Sequence, residues 1–175
     1  MRLPWWETGK RNTKLTKQLA IWADEDRTGI AFDSSTGFTL PNGADRSPDA
    51  AWVRQERIDV LNPDPNKFLP LALDFAVQLM SANDRLEKAR AKMVEYRDNG
   101  VRLGWLIDPQ NKCVEIYRLC QDKEMLQSPT TLSGEDVLQG LCWIWARFLC
   151  LDFIILSTAL KNCDRPTDIL CYRRI

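Results

Sequence analysis

The succession of helical and extended patterns along these 175 residues predicts a layered fold, α/β or α+β, with helices covering a mixed β-sheet. Three observations carry this. Helical spacing appears twice, over residues 10–26 and again from about 81 to 98. Short alternating or apolar runs, bounded by turn residues, lie between and after these two stretches. The length, with 45% hydrophobic and 27% charged residues, suits one soluble domain with a core of its own.

In the first stretch Leu15, Leu19 and Trp22 recur at helical spacing, with Lys10, Arg11, Lys14 and Lys17 on other faces, which predicts one amphipathic helix. After Gly29, the strand candidates Ile30-Ala31-Phe32 and Gly37-Phe38-Thr39-Leu40 are joined through Asp33-Ser34-Ser35-Thr36, so a meander or hairpin is expected there. Pro41-Asn42-Gly43 supplies the next turn, and Pro48 starts a strand over residues 49–54. Asn62-Pro63-Asp64-Pro65-Asn66 is a loop, because two prolines in three residues exclude a helix interior, and a strand over 73–80 follows it. Ser81-Ala82-Asn83-Asp84 offers caps for a helix that runs to about Asp98, presents Leu86, Ala89, Met93 and Tyr96 on one face, and stops at Asn99-Gly100. Residues 101–107 and 112–118 read as a strand pair across Asp108-Pro109-Gln110-Asn111, with a further extended piece around 125–132.

Lys plus Arg equals Asp plus Glu at 24 each, so attraction to nucleic acid has to come from a local basic stripe. A basic, apolar leader is absent at Met1, which predicts a cytoplasmic chain. Cys113, Cys120, Cys142, Cys150, Cys163 and Cys171 all fall in the last third without a CxxC pair, and the chain has no histidine. That pattern argues against zinc and for reduced thiols. Residues 141–160 approach the length of a membrane span, but Arg147 and Asp152 inside them would each cost about 2.5–3.5 kcal/mol at a helix centre. No stable membrane association is expected.

Strand alternation over 73–80 puts Asp74, Ala76, Gln78 and Met80 on one face, so positions 78 and 80 point toward whatever Asp49 faces. These residues lie within ordered blocks: Glu7-Thr8-Gly9-Lys10-Arg11-Asn12, Phe32-Asp33-Ser34-Ser35-Thr36-Gly37-Phe38, Leu40-Pro41-Asn42-Gly43, Arg46-Ser47-Pro48-Asp49-Ala50, and Gly100-Val101-Arg102-Leu103-Gly104-Trp105-Leu106-Ile107-Asp108-Pro109. Val114-Glu115-Ile116-Tyr117-Arg118 and Leu126-Gln127-Ser128-Pro129-Thr130-Thr131-Leu132-Ser133-Gly134 continue the series. Together, over residues 7–139, they resemble the Uma-type restriction endonuclease family, within the PD-(D/E)xK nuclease-like superfamily.

The resemblance selects an α/β fold: a restriction-endonuclease-like mixed sheet flanked by helices, over residues 1–140 and shortened at its amino end. It implies magnesium-dependent hydrolysis of DNA phosphodiesters, in which a cation polarises the phosphate and lowers the pKa of an attacking water. Asp49 and Gln78 would be the metal ligands, Gln78 standing where family members carry Glu. Lys92, ahead of Met93-Val94-Glu95-Tyr96, would lie near the nucleophile, since Met80 holds the superfamily lysine's place; Lys88 is second choice. Glu7 would be a supporting acid. An amide at 78 removes one negative charge from a site that needs it, so weak or no cleavage is expected. The alternative is a catalytically inactive remnant that at most binds nucleic acid through its basic helices. DNA is the expected partner, and a homodimer would let two chains cut two strands.

Each site residue also has a plainer reading. Gln78 could be an ordinary hydrogen-bonded strand residue, Asp49 a turn cap, Lys92 part of a solvated helix face, and Glu7 a complement to the helix dipole. Residues 141–175 form an atypical tail. The family ending, approximately Phe-Val-Leu-Asp-Leu, is replaced by Leu141-Cys142-Trp143-Ile144-Trp145. The codons TTT GTG CTG GAT TTG G give the first reading and, shifted by one nucleotide, the second, so a frameshift is the expected origin.

Overall fold

Leu15, Leu19, Trp22 and Ala23 are buried on one side of α1 (Trp5–Asp26), which fixes the second half of that helix against a β-sheet. The computed structural model describes residues 5–145. Within them follow β1 (Gly29–Asp33), β2 (Phe38–Thr39), β3 (Asp45–Arg46), β4 (Ala50–Arg54), α2 (Gln55–Leu61), β5 (Phe75–Leu79), α3 (Leu86–Asp98), β6 (Leu103–Asp108), β7 (Cys113–Arg118) and β8 (Glu124–Gln127). The main sheet has the order β1-β4-β5-β6-β7-β8. Its neighbours pair antiparallel apart from β5 and β6, which run parallel with α3 as the crossover between them. The expected mixed sheet with flanking helices is therefore present.

Alternation assigns the two faces. Ala51, Val53, Ala76, Leu106 and Tyr117 meet Met93 and Tyr96 of α3, together with Phe38 and Leu40, in one core. On the other face Trp52 meets Trp22 of α1 edge-on at 5.6 Å, and Phe75 meets Trp105 at 4.8 Å. Every residue of β6 is buried, as its central place requires. Gly29 sits where a Cβ would lie 2.3 Å from the Val53 carbonyl oxygen, so close strand approach demands glycine.

Several expectations need correction. β1 does not form a hairpin with β2; it pairs residue for residue with β4, while β2 pairs with β3 across a turn in which Gly43 takes φ +83°. A five-residue edge finds more partners in β4 than in a two-residue strand. The segment Gln55–Leu61 is helical although none of its residues is buried, and Asn62 ends it in the left-handed conformation. α1 begins at Trp5, ahead of the Gly9 that weakens the sequence signal. α3 begins after Arg85 without a side-chain cap, because Asp84 accepts from the Ser81 amide in a preceding turn. Its end is as expected, with Gly100 at φ +96°.

The chain divides between Pro129 and Thr130 into two compact units. In the second, β9 (Thr131–Ser133) pairs antiparallel with β10 (Cys142–Ile144). The extended piece expected over 125–132 is thus two strands in different sheets, parted where Ser128 adopts φ +47°. Cys113 and Cys120 are free thiols, whereas Cys142 is disulfide-bonded, against the expectation of reduced thiols. Among the described residues no helix is long and apolar enough to cross a membrane. The apolar run from Phe148, the remaining cysteines and the tail beyond 145 lie outside the described residues.

Candidate active site

Buried Pro48 lacks an amide hydrogen, so main-chain pairing of β4 with β5 starts at Asp49, whose N–H donates to the Val77 carbonyl at 3.0 Å. That pairing brings the Asp49 carboxylate to the end of β5. Its Oδ2 accepts from the Leu79 amide at 2.7 Å and from Gln78 Nε2 at 2.6 Å. From α3, Lys92 Nζ donates to Gln78 Oε1 at 2.6 Å and to the Ser47 carbonyl at 3.0 Å, and stands 5.8 Å from the centre of the Tyr96 ring. Carboxylate, amide and ammonium therefore form one hydrogen-bonded line, all three half-buried.

Burial raises the Asp49 pKa, and the Leu79 amide and Lys92 charge oppose that rise without cancelling it. Burial also lowers the Lys92 pKa, which the attraction of Asp49 only partly offsets. The Tyr96 hydroxyl is buried without a hydrogen-bond partner, and burial pushes its pKa up.

Met80 is a core residue, so the strand supplies no cation. Lys88 is exposed; Lys92 is the lysine that reaches Gln78. Glu7 lies on α1, pairs with Arg11 at 3.6 Å, and shares no hydrogen bond with Asp49, Gln78 or Lys92. Asp74 is occupied by the Arg54 amide and by Arg57 at 2.9 Å, and Asp108 accepts from Gln110 and Asn111 in a turn.

Two ion-pair clusters that hold the site escaped the sequence reading. Arg46 grips Glu95 of α3 through Nε at 2.6 Å and Nη2 at 3.0 Å, and the Asn42 side chain donates to the same carboxylate at 3.2 Å. Five residues earlier on α3, Arg90 bonds to buried Glu115 of β7, which also accepts from Tyr117 at 2.7 Å and Lys123 at 3.1 Å. The only hint in the sequence was that Glu95 stands three residues after Lys92, on the same side of the helix.

A magnesium ion fits this donor set poorly. Lysine can only donate, so the Gln78 oxygen must face Lys92 and its NH₂ must face Asp49. The amide then offers the carboxylate a proton where a second ligand oxygen is needed. No group of three or more His, Cys, Asp or Glu side chains suited to a metal occurs among the described residues.

Residues 1–148 match the family Uma2, described as putative restriction endonuclease. The chain belongs to the Uma2 family. A crystal structure of a putative nuclease belonging to DUF820 from Anabaena variabilis ATCC 29413 has a similar fold: the TM-score is 0.71 at 18% identity, covering 85% of this chain and 83% of that one. A search of curated proteins returns no match. For this Uma2 chain the comparisons support a nuclease-like fold and function.

Proposed function

We propose that this Uma2 chain engages the DNA backbone at the Asp49–Gln78–Lys92 line and that Gln78 holds hydrolysis back. The observation that supports this is the convergence of the three side chains through two 2.6 Å bonds, from an aspartate at the head of one strand, its neighbour strand and the crossover helix. Lys92 is an ammonium beside a half-buried carboxylate, suited to a phosphate oxygen or to an attacking water. Gln78 keeps both partners occupied with each other, in an electrically closed state. Asp49, Gln78 and Lys92 carry the proposal; Glu7 is given no direct step.

Plasmid cleavage tests it. The chain itself is expected to nick DNA weakly or not at all, whereas Gln78→Glu places a second carboxylate beside Asp49 and is expected to gain both magnesium-dependent nicking and a magnesium-dependent rise in Tm. A Tm that ignores magnesium in Gln78→Glu removes the metal part of the reading. No cleavage by either chain, with salt-dependent DNA binding retained, favours the second reading of an inactive binding domain, which the locked amide supports. Pairing of two chains and a cytoplasmic location belong to the same proposal, checked by light scattering and by fractionation.

A further inference from the structure

The first half of α1 carries a stripe that the other described residues leave unexplained. Trp6, Gly9, Lys10, Thr13 and Lys17 are all exposed, and helical geometry puts them within an arc of about 100°, opposite buried Leu15, Leu19 and Trp22. No residue from 6 to 14 is buried. Trp6 is nevertheless 62% exposed, and Lys10 Nζ lies 5.9 Å from the centre of its ring. A Cβ built on Gly9 would meet nothing within 4 Å, so no packing among the described residues asks for glycine, which weakens a helix relative to alanine. Glu7 in the first turn suits the helix dipole, but the acids Asp24, Glu25 and Asp26 in the last turn, with no cation there, do not.

We infer that this stripe binds an unpaired stretch of DNA strand: Trp6 stacks on a base, Lys10 and Lys17 pair with phosphates, and Gly9 admits the strand close to the helix. The inference rests on the proposed DNA reading and adds a contact surface outside the Asp49–Lys92 line. Charge complementarity selects the occupant. Lys10 and Lys17 lie about 10 Å apart along the axis with Thr13 between them on the stripe, and one aromatic ring among cations is the combination that holds single strands. A lipid surface would ask for a broad apolar face, whereas this stripe has a single large apolar group.

Binding of a short labelled single-stranded oligonucleotide, followed by anisotropy across a salt series, tests it. Trp6→Ala is expected to weaken binding about 5- to 100-fold with the salt slope unchanged. Lys10→Gln with Lys17→Gln is expected to lower the slope by about 1.4. Gly9→Ala is expected to raise Tm yet weaken binding, a split that a purely structural role does not produce. The inference is overturned if these variants bind like the parent, if only duplex is bound, or if phosphatidylserine vesicles are held through Trp6 in place of the oligonucleotide. Should Lys92→Gln weaken binding while the stripe variants do not, this inference falls and the site reading stands; no nucleic-acid binding by any chain overturns both.

Discussion

Asp49 and Glu115 are both removed from water, yet their surroundings shift them in opposite directions. Burial raises Asp49. The folded state therefore holds its proton to higher pH than the unfolded chain, and stability falls as pH rises from the ordinary carboxylate range through the raised value. Asp49→Asn removes that penalty and keeps an acceptor for Leu79, so its Tm at neutral pH is expected to match or exceed the parent's while cleavage by Gln78→Glu is lost. Burial also opposes charge on Glu115, but hydrogen bonds from Arg90, Tyr117 and Lys123 outweigh it and bring the pKa to about 2. The sign is reversed: this stability is complete above the usual glutamate value and lost as pH falls toward 2. Glu115→Gln is expected to cost about 3 kcal/mol at pH 7 and to flatten the acid limb of a urea-midpoint series. Neither environment could be read from the sequence. Asp49, Gln78 and Lys92 were legible because a period of two and a family block marked them, whereas the clusters around Glu95 and Glu115 arise from segments that meet only in the fold.

At the level of elements, α3 acts as a bracket. Its Glu95 is tied to Arg46 just before Asp49, and its Arg90 to β7, with Lys92 between the two attachments. A double-mutant cycle on Arg46→Ala and Glu95→Ala is expected to give a coupling of about 1 kcal/mol, since the pair is forked but partly exposed. Strand β1 shows a tighter constraint. Gly29→Ala drives a methyl into the Val53 carbonyl and the Trp52 ring, and should cost about 1–3 kcal/mol in a denaturant titration. Patterns revealed α3 through its helical spacing, and β5, β6 and β7 as short, mostly apolar runs bounded by turn residues. They failed for α2, which buries no residue, and for the partner of β1, because alternation marks a strand without naming its neighbour.

At the scale of the whole molecule, the first unit draws its stability from packing on both faces of the main sheet. Trp105 is buried against Phe75, and Trp105→Ala is expected to cost about 3–5 kcal/mol, measured by urea unfolding. The layered fold class was legible from the alternation of element types; the spatial order of strands was not, since it depends on contacts between segments far apart in the chain. That order has a consequence for synthesis. Asp49, Gln78 and Lys92 have all left the ribosome by the time residue 98 emerges, but the parallel neighbour of β5 ends at Asp108. A nascent chain stalled in between owns every side chain of the line and still lacks the strand that seats its helix, so the three groups are not brought together until that late addition closes the crossover.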